Sequence, residues 1–534
     1  MGRMQRVTEG GSFLATIAWL AAALVSAGSA GCSLVVDSNA NQCSSDTDCA
    51  SFDGRPVCLS GICVTGVGPP GCFSGTKSTQ MDYLNACTSS SYESYSNCDN
   101  IGYRCSNGMG SAKMPDTVAP MTGMVGSMVV PPDPSNLRTD LAPTDNGTPQ
   151  MVWMYGSSDF GPLLKAVQPA LSALAKPYRA VFQGSSSCNG VTSVFVPGGS
   201  VKMLDPKPAA SGGNGNWAYY FDDQGRQTFC RIEPTTTTPE GRIPDIGVSN
   251  LYAKTCNTTY EPGTTVGDYL GPVVPFVLAV KKGSAQQAIS AEAARLVFGN
   301  GGRPPAGIGM KDATPWTDYR NYYIRNSGAG STVLTSYVID VPKDKFWGID
   351  RVTTDNLRDG LLAAPDSSTS AAIGILSIDF YDQNRGNLKA LYLQSKDQKA
   401  GFLPDSQPTT FDKRNVRDGH YTLWGYVHLF AALDSNGGLM SPAAKALVLL
   451  LTVPQIEQKL LDKIIDASLT PQCAMQVSRT TEVGPFSIRQ GTQCGCYFDA
   501  RKTGRTDCQM CTTAEDCPGK HPCRYGYCEQ NDNL

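Results

Sequence analysis

The chain has 534 residues, a formal net charge of -3, twenty cysteines and three histidines. That near-neutral balance argues against a nucleic-acid binder and against a polybasic membrane patch. His420, His428 and His521 are scattered, with no Cys or carboxylate at metal-ligand spacing beside them. A histidine-based triad or zinc site is therefore not expected, although Cys-only sites stay formally open.

Arg3 and Arg6 form a basic start, and residues 13–25, FLATIAWLAAALV, are an uncharged apolar run. The run is shorter than the roughly 20 residues of a membrane span and fits the core of an export signal. It leads to Ser29-Ala30-Gly31-Cys32, which resembles the lipobox of bacterial lipoproteins, where the cysteine sulfur receives diacylglycerol. Residues 1–31 then form a lipoprotein signal peptide and Cys32 is the lipidation site, giving an exported chain anchored to a bacterial membrane, facing the periplasm or at the cell surface. The alternative is an ordinary cleaved signal with Cys32 as one more disulfide partner. Losing Arg3, Arg6 and Glu9 moves the formal charge from -3 to -4.

Cysteines in an exported chain point to disulfides, and if Cys32 carries lipid one thiol is left over. Most of them lie at the two ends, which suggests small stapled modules around a core-driven body: Cys-rich segments at 32–105 and 471–534. The ends repeat one another. "CSSDTDCASFDGRPVCLSGIC" and "CTTAEDCPGKHPCRYGYC" share C-x5-C, an acidic residue before the second cysteine, and a closing C-x4-C that contains Gly. Three pairings are open for four cysteines, and a zinc reading is weaker than disulfides in an oxidising compartment. Residues 106–150 hold no Phe, Trp or Tyr and seven prolines, and read as a linker.

From residue 151 the pattern becomes strand-like and helical by turns. MVWMY, RAVFQ, PDIGVS, PVVPFVLAV, YYIRN, AIGILSIDFY, LKALYLQ and LWGYVHLFAAL are strand candidates; GPLLKAVQPALSALA, SAEAARLVFG, GSTVLTSYVI and SPAAKALVLLLTV are helical ones. Such alternation predicts an α/β body with mainly parallel sheet. Its size suggests two lobes: lobe 1 at 151–280, lobe 2 at 281–410, and a return to lobe 1 at 411–470. Residues 195–242, with PGGS, SGGNGN and TTTTPEG, read as a surface excursion pinned by Cys230 that could rim a cleft.

In order, GSSDFGPLL, VFQGSSSCNGV, PDIGVSN, PVVPFVLAV, ISAEAARLVFGN, YYIRNSGAGSTVLTSYVI and AAIGILSIDFYD resemble the phosphate-binding protein of bacterial phosphate importers. The resemblance covers roughly residues 150–455. It implies a two-lobed periplasmic binding protein of type II, with the disulfide-rich ends outside it. It also implies a small anion (phosphate or another oxyanion) or polar solute as ligand, an ABC-type permease as partner, and no cofactor. Physical logic runs the same way, because a metal-free oxyanion site needs convergent N–H and O–H donors, ideally at helix N-termini. Three hydroxyl- and glycine-bearing corners follow strand candidates here: Ser157-Ser158-Asp159-Phe160, Ser185-Ser186-Ser187, and Ser327 to Thr332.

Carried over residue by residue, Asp159 and Phe160 match the family's first amide-and-hydroxyl loop, Ser187 with its neighbour Ser186 the second, and Arg325 the binding arginine. Asn250 stands where the family has an aspartate that accepts the ligand's proton, Ser327 replaces another aspartate, and Gly328, Gly330 and Ser331 belong to the last donor loop. Asp159 occupies a hydroxyl-donor position and would repel a dianion at close range, while both acidic positions have become neutral. Asp159 could also simply cap the following helix, and Cys188 is expected in a structural disulfide with Cys230 or Cys256. The resulting expectation is a lipid-anchored solute-binding protein for transport or sensing. Its rival is a structural or adhesive surface lipoprotein with a degenerate pocket. A hydrolase ranks last, for want of a nucleophile–base pair or metal cluster.

Overall fold

The computed structural model describes residues 43, 57–59, 62–64, 68–106, 110–120, 149–204, 217–232, 240–365, 368–452, 456–489, 491–504, 506 and 508–529. The export signal and Cys32 lie outside the described residues. The chain divides into two compact units, Met1–Thr65 and Gly66–Leu534. In the first, Cys43 is buried and disulfide-bonded, and Val57–Leu59 pairs antiparallel with Ile62–Val64 so that Cys58 faces Cys63.

The second unit is built on an 11-stranded sheet. Its first half contains β1 (Gln150–Ser157), α1 (Gly161–Ser172), β2 (Tyr178–Ser185), α2 (Ser187–Phe195), β3 (Ala218–Phe221), β4 (Gln227–Cys230), β5 (Ile246–Ser249) and the long β6 (Val266–Lys281). The second half contains α3 (Ala291–Asn300), β7 (Tyr322–Ile324), α4 (Gly330–Ile339), β8 (Ile349–Asp350), α5 (Thr354–Leu362), β9 (Ile373–Ser377), α6 (Ile378–Asp382) and β10 (Leu388–Ala390). The chain then returns through β11 (Trp424–Ala432), α7 (Pro442–Thr452), α8 (Gln458–Asp466) and α9 (Gly495–Thr503).

Strand order is β8-β7-β9-β6-β11-β5-β1-β2-β3-β4, with β10 also on β6. The two halves repeat one plan. Three parallel strands lie in the order second, first, third (β2-β1-β5 and β8-β7-β9), followed by an antiparallel strand, β11 in one half and β6 in the other. β6 pairs with β11 along residues 266–275 and with β9 along 276–280, so one strand joins the halves. The α/β expectation agrees with this architecture, but the sheet is mixed rather than mainly parallel, because β6, β11 and the β3–β4 hairpin add antiparallel pairings to the two parallel triplets. Near-continuous burial along β1, β2 and β5 follows from their apolar sequences, as expected for parallel strands covered on both faces.

Close packing sets the position of α2. A side chain at Gly190 would place its Cβ 2.2 Å from the Val248 carbonyl oxygen, and one at Gly247 would stand 2.1 Å from the Gly190 oxygen. Only glycines allow this helix to lie directly on β5, which brings its N-terminus to the ends of β1 and β5.

Several local expectations are revised. IDFY, read as the end of a strand, turns into α6 after Ser377. Within residues 195–242, β3 and β4 form a hairpin that extends the sheet beyond β2, rather than a loose excursion. The linker expected at 106–150 is held down at its start: the Val118 amide donates to the Gly299 carbonyl, and Trp347 Nε1 donates to the Val118 carbonyl. The packed face of α3 and Trp347 offers these partners, and composition alone does not reveal them.

Cys72–Cys87 and Cys98–Cys105 staple residues 68–106, where Tyr92–Glu93 adds an antiparallel strand to Gly401–Phe402 and Ile101 is fully buried. At the other end, Cys473–Cys494 and Cys496–Cys508 fix α9 against α8, with Phe498, Leu461 and Ile465 forming the contact. The final module pairs first with third and second with fourth, Cys511–Cys523 and Cys517–Cys528. Its closing hairpin sets Cys523 opposite Cys528, the register that Cys58 and Cys63 adopt near the start. No helix among the described residues is long and apolar enough to cross a membrane.

Candidate functional site

The expected corners all follow carboxyl ends of strands: Ser158 after β1, Ser186 after β2, Asn250 after β5, Arg325 after β7. This is where open α/β sheets leave a crevice. The corners meet. The Cys188 amide donates to the Gly328 carbonyl at 3.0 Å, and a Cβ at Gly330 would lie 2.7 Å from Asn250 Cβ and 2.8 Å from Ser187 Oγ. The first turn of α4 therefore sits against the N-terminus of α2. Cys188 is bonded to Cys256, the second of the two partners considered for it.

Arg325 is 4% exposed. Its Nη1 donates to Ser158 Oγ at 2.6 Å and Thr354 Oγ1 at 3.0 Å, and its Nη2 to the Ser185 carbonyl at 2.8 Å. Nε has no partner, and among the described residues no carboxylate forms an ion pair with the guanidinium. Burial lowers its pKa from the ordinary value, opposed by the charges of Asp350, Asp159 and Asp355. A buried cation solvated only by neutral oxygens is costly unless something else compensates it.

Ser158 is the pivot of this arrangement. Besides Arg325, its hydroxyl oxygen receives the Thr354 amide at 3.2 Å and lies 3.0 Å from Thr354 Oγ1. Thr354 opens α5, which Thr353 caps by accepting the Asn356 amide. One oxygen from the first half thus stands between a guanidinium and a helix N-terminus of the second, a place suited to an anion's oxygen.

Asp159 faces inward. Helix α1 has no side-chain cap, so the capping alternative does not hold. Ser157 Oγ donates to Asp159 Oδ1 at 2.6 Å. Because that hydroxyl has one proton, the Asn250 side chain 2.6 Å away must present its NH2 group, which then donates to Ser157 Oγ and to both Asp159 oxygens at 3.0 Å. Ser187 Oγ donates to Ser157 Oγ and accepts from the Asn250 backbone N–H, both at 3.2 Å. Burial raises the Asp159 carboxyl above its ordinary value, while the Ser157 hydrogen bond and Arg325 oppose the rise.

The remaining expected residues divide. Ser186 caps α2 by accepting the Asn189 amide, and Ser331 is buried in the first turn of α4. The Phe160 ring belongs to the core, 5.8 Å from that of Phe182, which leaves only its backbone for the site. Ser327 is exposed at the tip of the turn, because the Asn326 side chain accepts the Gly328 amide and folds the loop over.

Sequence reasoning missed Thr354, hidden in the polar stretch TTDNLRDG, whose signal was the Thr-x-x-Asn cap. It also missed Asp379, a carboxylate inside the apolar run SIDFY. Asp379 is 1% exposed, and neither oxygen makes a hydrogen bond of good geometry despite the nearby Ser377 hydroxyl and Phe380 amide. Burial pushes its pKa up to about 8.

A cleft of about 1320 Å³ opens beside Ser158, between the N-terminal turns of α1 and α5 and the β3–β4 hairpin. Among the described residues, neither histidine nor cysteine lines it. His420 and His428 are buried elsewhere against Asp418 and Asp268.

Neither a family model nor a curated relative matches the chain. Among solved structures it is similar to a putative phosphate ABC transporter substrate-binding protein with bound phosphate from Clostridium perfringens, at 12% identity and a TM-score of 0.38, over 60% of this chain and 99% of that one. An ABC-type phosphate transport receptor from Vibrio cholerae gives 11% and 0.35, over 60% and 99%. A possible phosphate binding protein from Planctomyces limnophilus gives 10% and 0.34, over 60% and 92%. Likeness at this level leaves the ligand of this chain to be argued from its own side chains.

Proposed function

We propose that the chain is a lipid-anchored extracytoplasmic solute-binding protein that holds a small oxyanion or polar solute between its two halves. It would serve transport through an ABC-type permease, or sensing. The observation that carries this reading is Arg325, a buried guanidinium with no ion-pair partner among the described residues, in contact with hydroxyls from both halves. Binding an anion would supply the missing countercharge. Separation of the halves would break the Arg325–Ser158 and Thr354–Ser158 bonds, so ligand entry is coupled to opening.

The two departures at Asp159 and Asn250 support the reading once they are taken together. Family resemblance puts a donor at the first position and a carboxylate at the second. Here the carboxylate stands at the first position and a donor, the Asn250 side-chain amide, at the second, 3.0 Å apart. One acceptor and one donor are kept, on opposite sides of the same contact.

Calorimetric titration of the full chain with phosphate, sulfate and small organic acids tests the proposal. Saturable heat that Arg325→Ala abolishes supports it, and no heat with any of them counts against it. The second reading, a structural or adhesive surface lipoprotein, is favoured by two specific features. Ser158 already fills the position between Arg325 and the α5 N-terminus, and Gly330 closes on Asn250 with no room for a Cβ.

A further inference from the structure

We propose that the ligand of the cleft is an organic oxyanion carrying a planar ring, with its charged head at Arg325 and its ring on the β3–β4 hairpin. This rests on the anion-binding reading above and adds the class of molecule. The cleft volume, about 1320 Å³, exceeds the roughly 300–1,000 Å³ of ordinary small-molecule sites. A bare tetrahedral anion would fill a small corner of it.

The hairpin gives the rest of the space its chemistry. Trp217, Tyr219 and Phe229 all line the cleft on that side. Tyr219 meets Phe182 edge-on at 5.6 Å and Phe229 edge-on at 6.0 Å, contacts that hold its ring within an aromatic cluster. Such rings accept another flat ring by offset stacking or edge contact. Trp217 Nε1 is buried with no hydrogen-bond partner among the described residues, a donor that a ligand acceptor would satisfy. On the facing wall Arg351 lies over the Tyr323 ring at 4.8 Å and its Nε also lacks a partner. It is a second cation for a head group or a guanidinium plane for a ring.

Ser158 connects the two regions, since it lines the cleft and also bonds Arg325. Rotating its hydroxyl away would hand the Arg325 Nη1 and Thr354 amide donors to a ligand oxygen arriving from the cleft. Phosphate and carboxylate heads share the required chemistry, so both are tested.

The experiment is calorimetric titration of the full chain with two matched pairs, phenyl phosphate against methyl phosphate and benzoate against acetate. The expected result is that, in the pair that binds, the ring-bearing member binds at least tenfold tighter. Tyr219→Ala combined with Phe229→Ala should erase that difference while leaving the ringless member unchanged. Equal affinities within the pair on the wild-type chain overturn the ring inference and leave the anion reading standing. That comparison needs no variant, so it holds even if the double substitution fails to fold. No heat with any of the four, nor with inorganic phosphate or sulfate, removes the anion reading and the ring inference with it.

Discussion

Asp379 lies within electrostatic reach of Asp159, whose charge adds to the cost of ionising Asp379. Burial dominates for both. For an acid whose folded pKa exceeds its unfolded value, the native state binds more protons between the two, so stability is fullest below about 4 and falls as pH rises to about 8. Asp379→Asn should remove that slope. The variant should gain on the wild type between pH 5 and pH 8 by at most roughly 1.4 kcal/mol per pH unit. Urea midpoints at the two pH values check this, and a gap that does not widen toward pH 8 contradicts it.

The α2 packing leads to a second expectation. Gly190→Ala would press a Cβ to 2.2 Å from the Val248 oxygen, which is backbone and cannot move aside. We expect a loss of about 3 kcal/mol or more in urea unfolding. Any anion heat should weaken as well, because Ser187 and Ser186 are carried on the displaced helix.

How far this arrangement could be read from sequence depended on whether the signal was periodic. β1, β2, β5 and α4 are visible because their apolar residues repeat at strand or helix spacing, and Pro162 marks the start of α1. Arg325 stood out as one charge between a strand and a small-residue turn. Contacts between distant segments left no such trace. Asp159 and Asn250 look like two independent departures until the 90 intervening positions fold back and set them in hydrogen-bond contact. Thr354 is one polar residue among many, and only the position of α5 makes it a partner of Arg325. The aromatic hairpin was hidden by glycine- and threonine-rich neighbours that dominate residues 195–242.

Lys413 is fully buried, with its Nζ 2.8 Å from Asp382 and 2.9 Å from Asp405, and Arg385 bonds the same two carboxylates. Lys413→Met would leave two buried acids to share one guanidinium. Loss of one partner from such a cluster costs about 3–5 kcal/mol. Chemical denaturation should show it, and a change below about 1 kcal/mol would mean that water enters the cluster freely.

The disulfide Cys188–Cys256 closes 68 residues and lies directly behind Ser187. Replacing both cysteines by serine should lower stability by about 4 kcal/mol, from the chain entropy restored to the unfolded state. It should also loosen the Cys188–Gly328 bond between the second and third corners. Thermal unfolding measures the first effect, and hydrogen exchange at the Cys188 amide the second.

The pair can be tested by exchanging its two members. Asn250→Asp alone sets a second carboxylate within hydrogen-bond distance of Asp159, where one of the two must keep a proton. The native state then holds a proton that the unfolded chain releases above about pH 4, so the variant should be least stable at pH 7 to 8 and recover toward pH 5. Asp159→Asn alone replaces one of the two oxygens that accept from the Asn250 side-chain amide with an NH2 group, setting donor against donor on that side. The double change Asp159→Asn with Asn250→Asp restores one acid and one amide in contact, and should recover most of the stability that the singles lose. A coupling of about 1–3 kcal/mol in the double-mutant cycle is the expected outcome. Simple additivity would mean that Asp159 and Asn250 do not act as a pair.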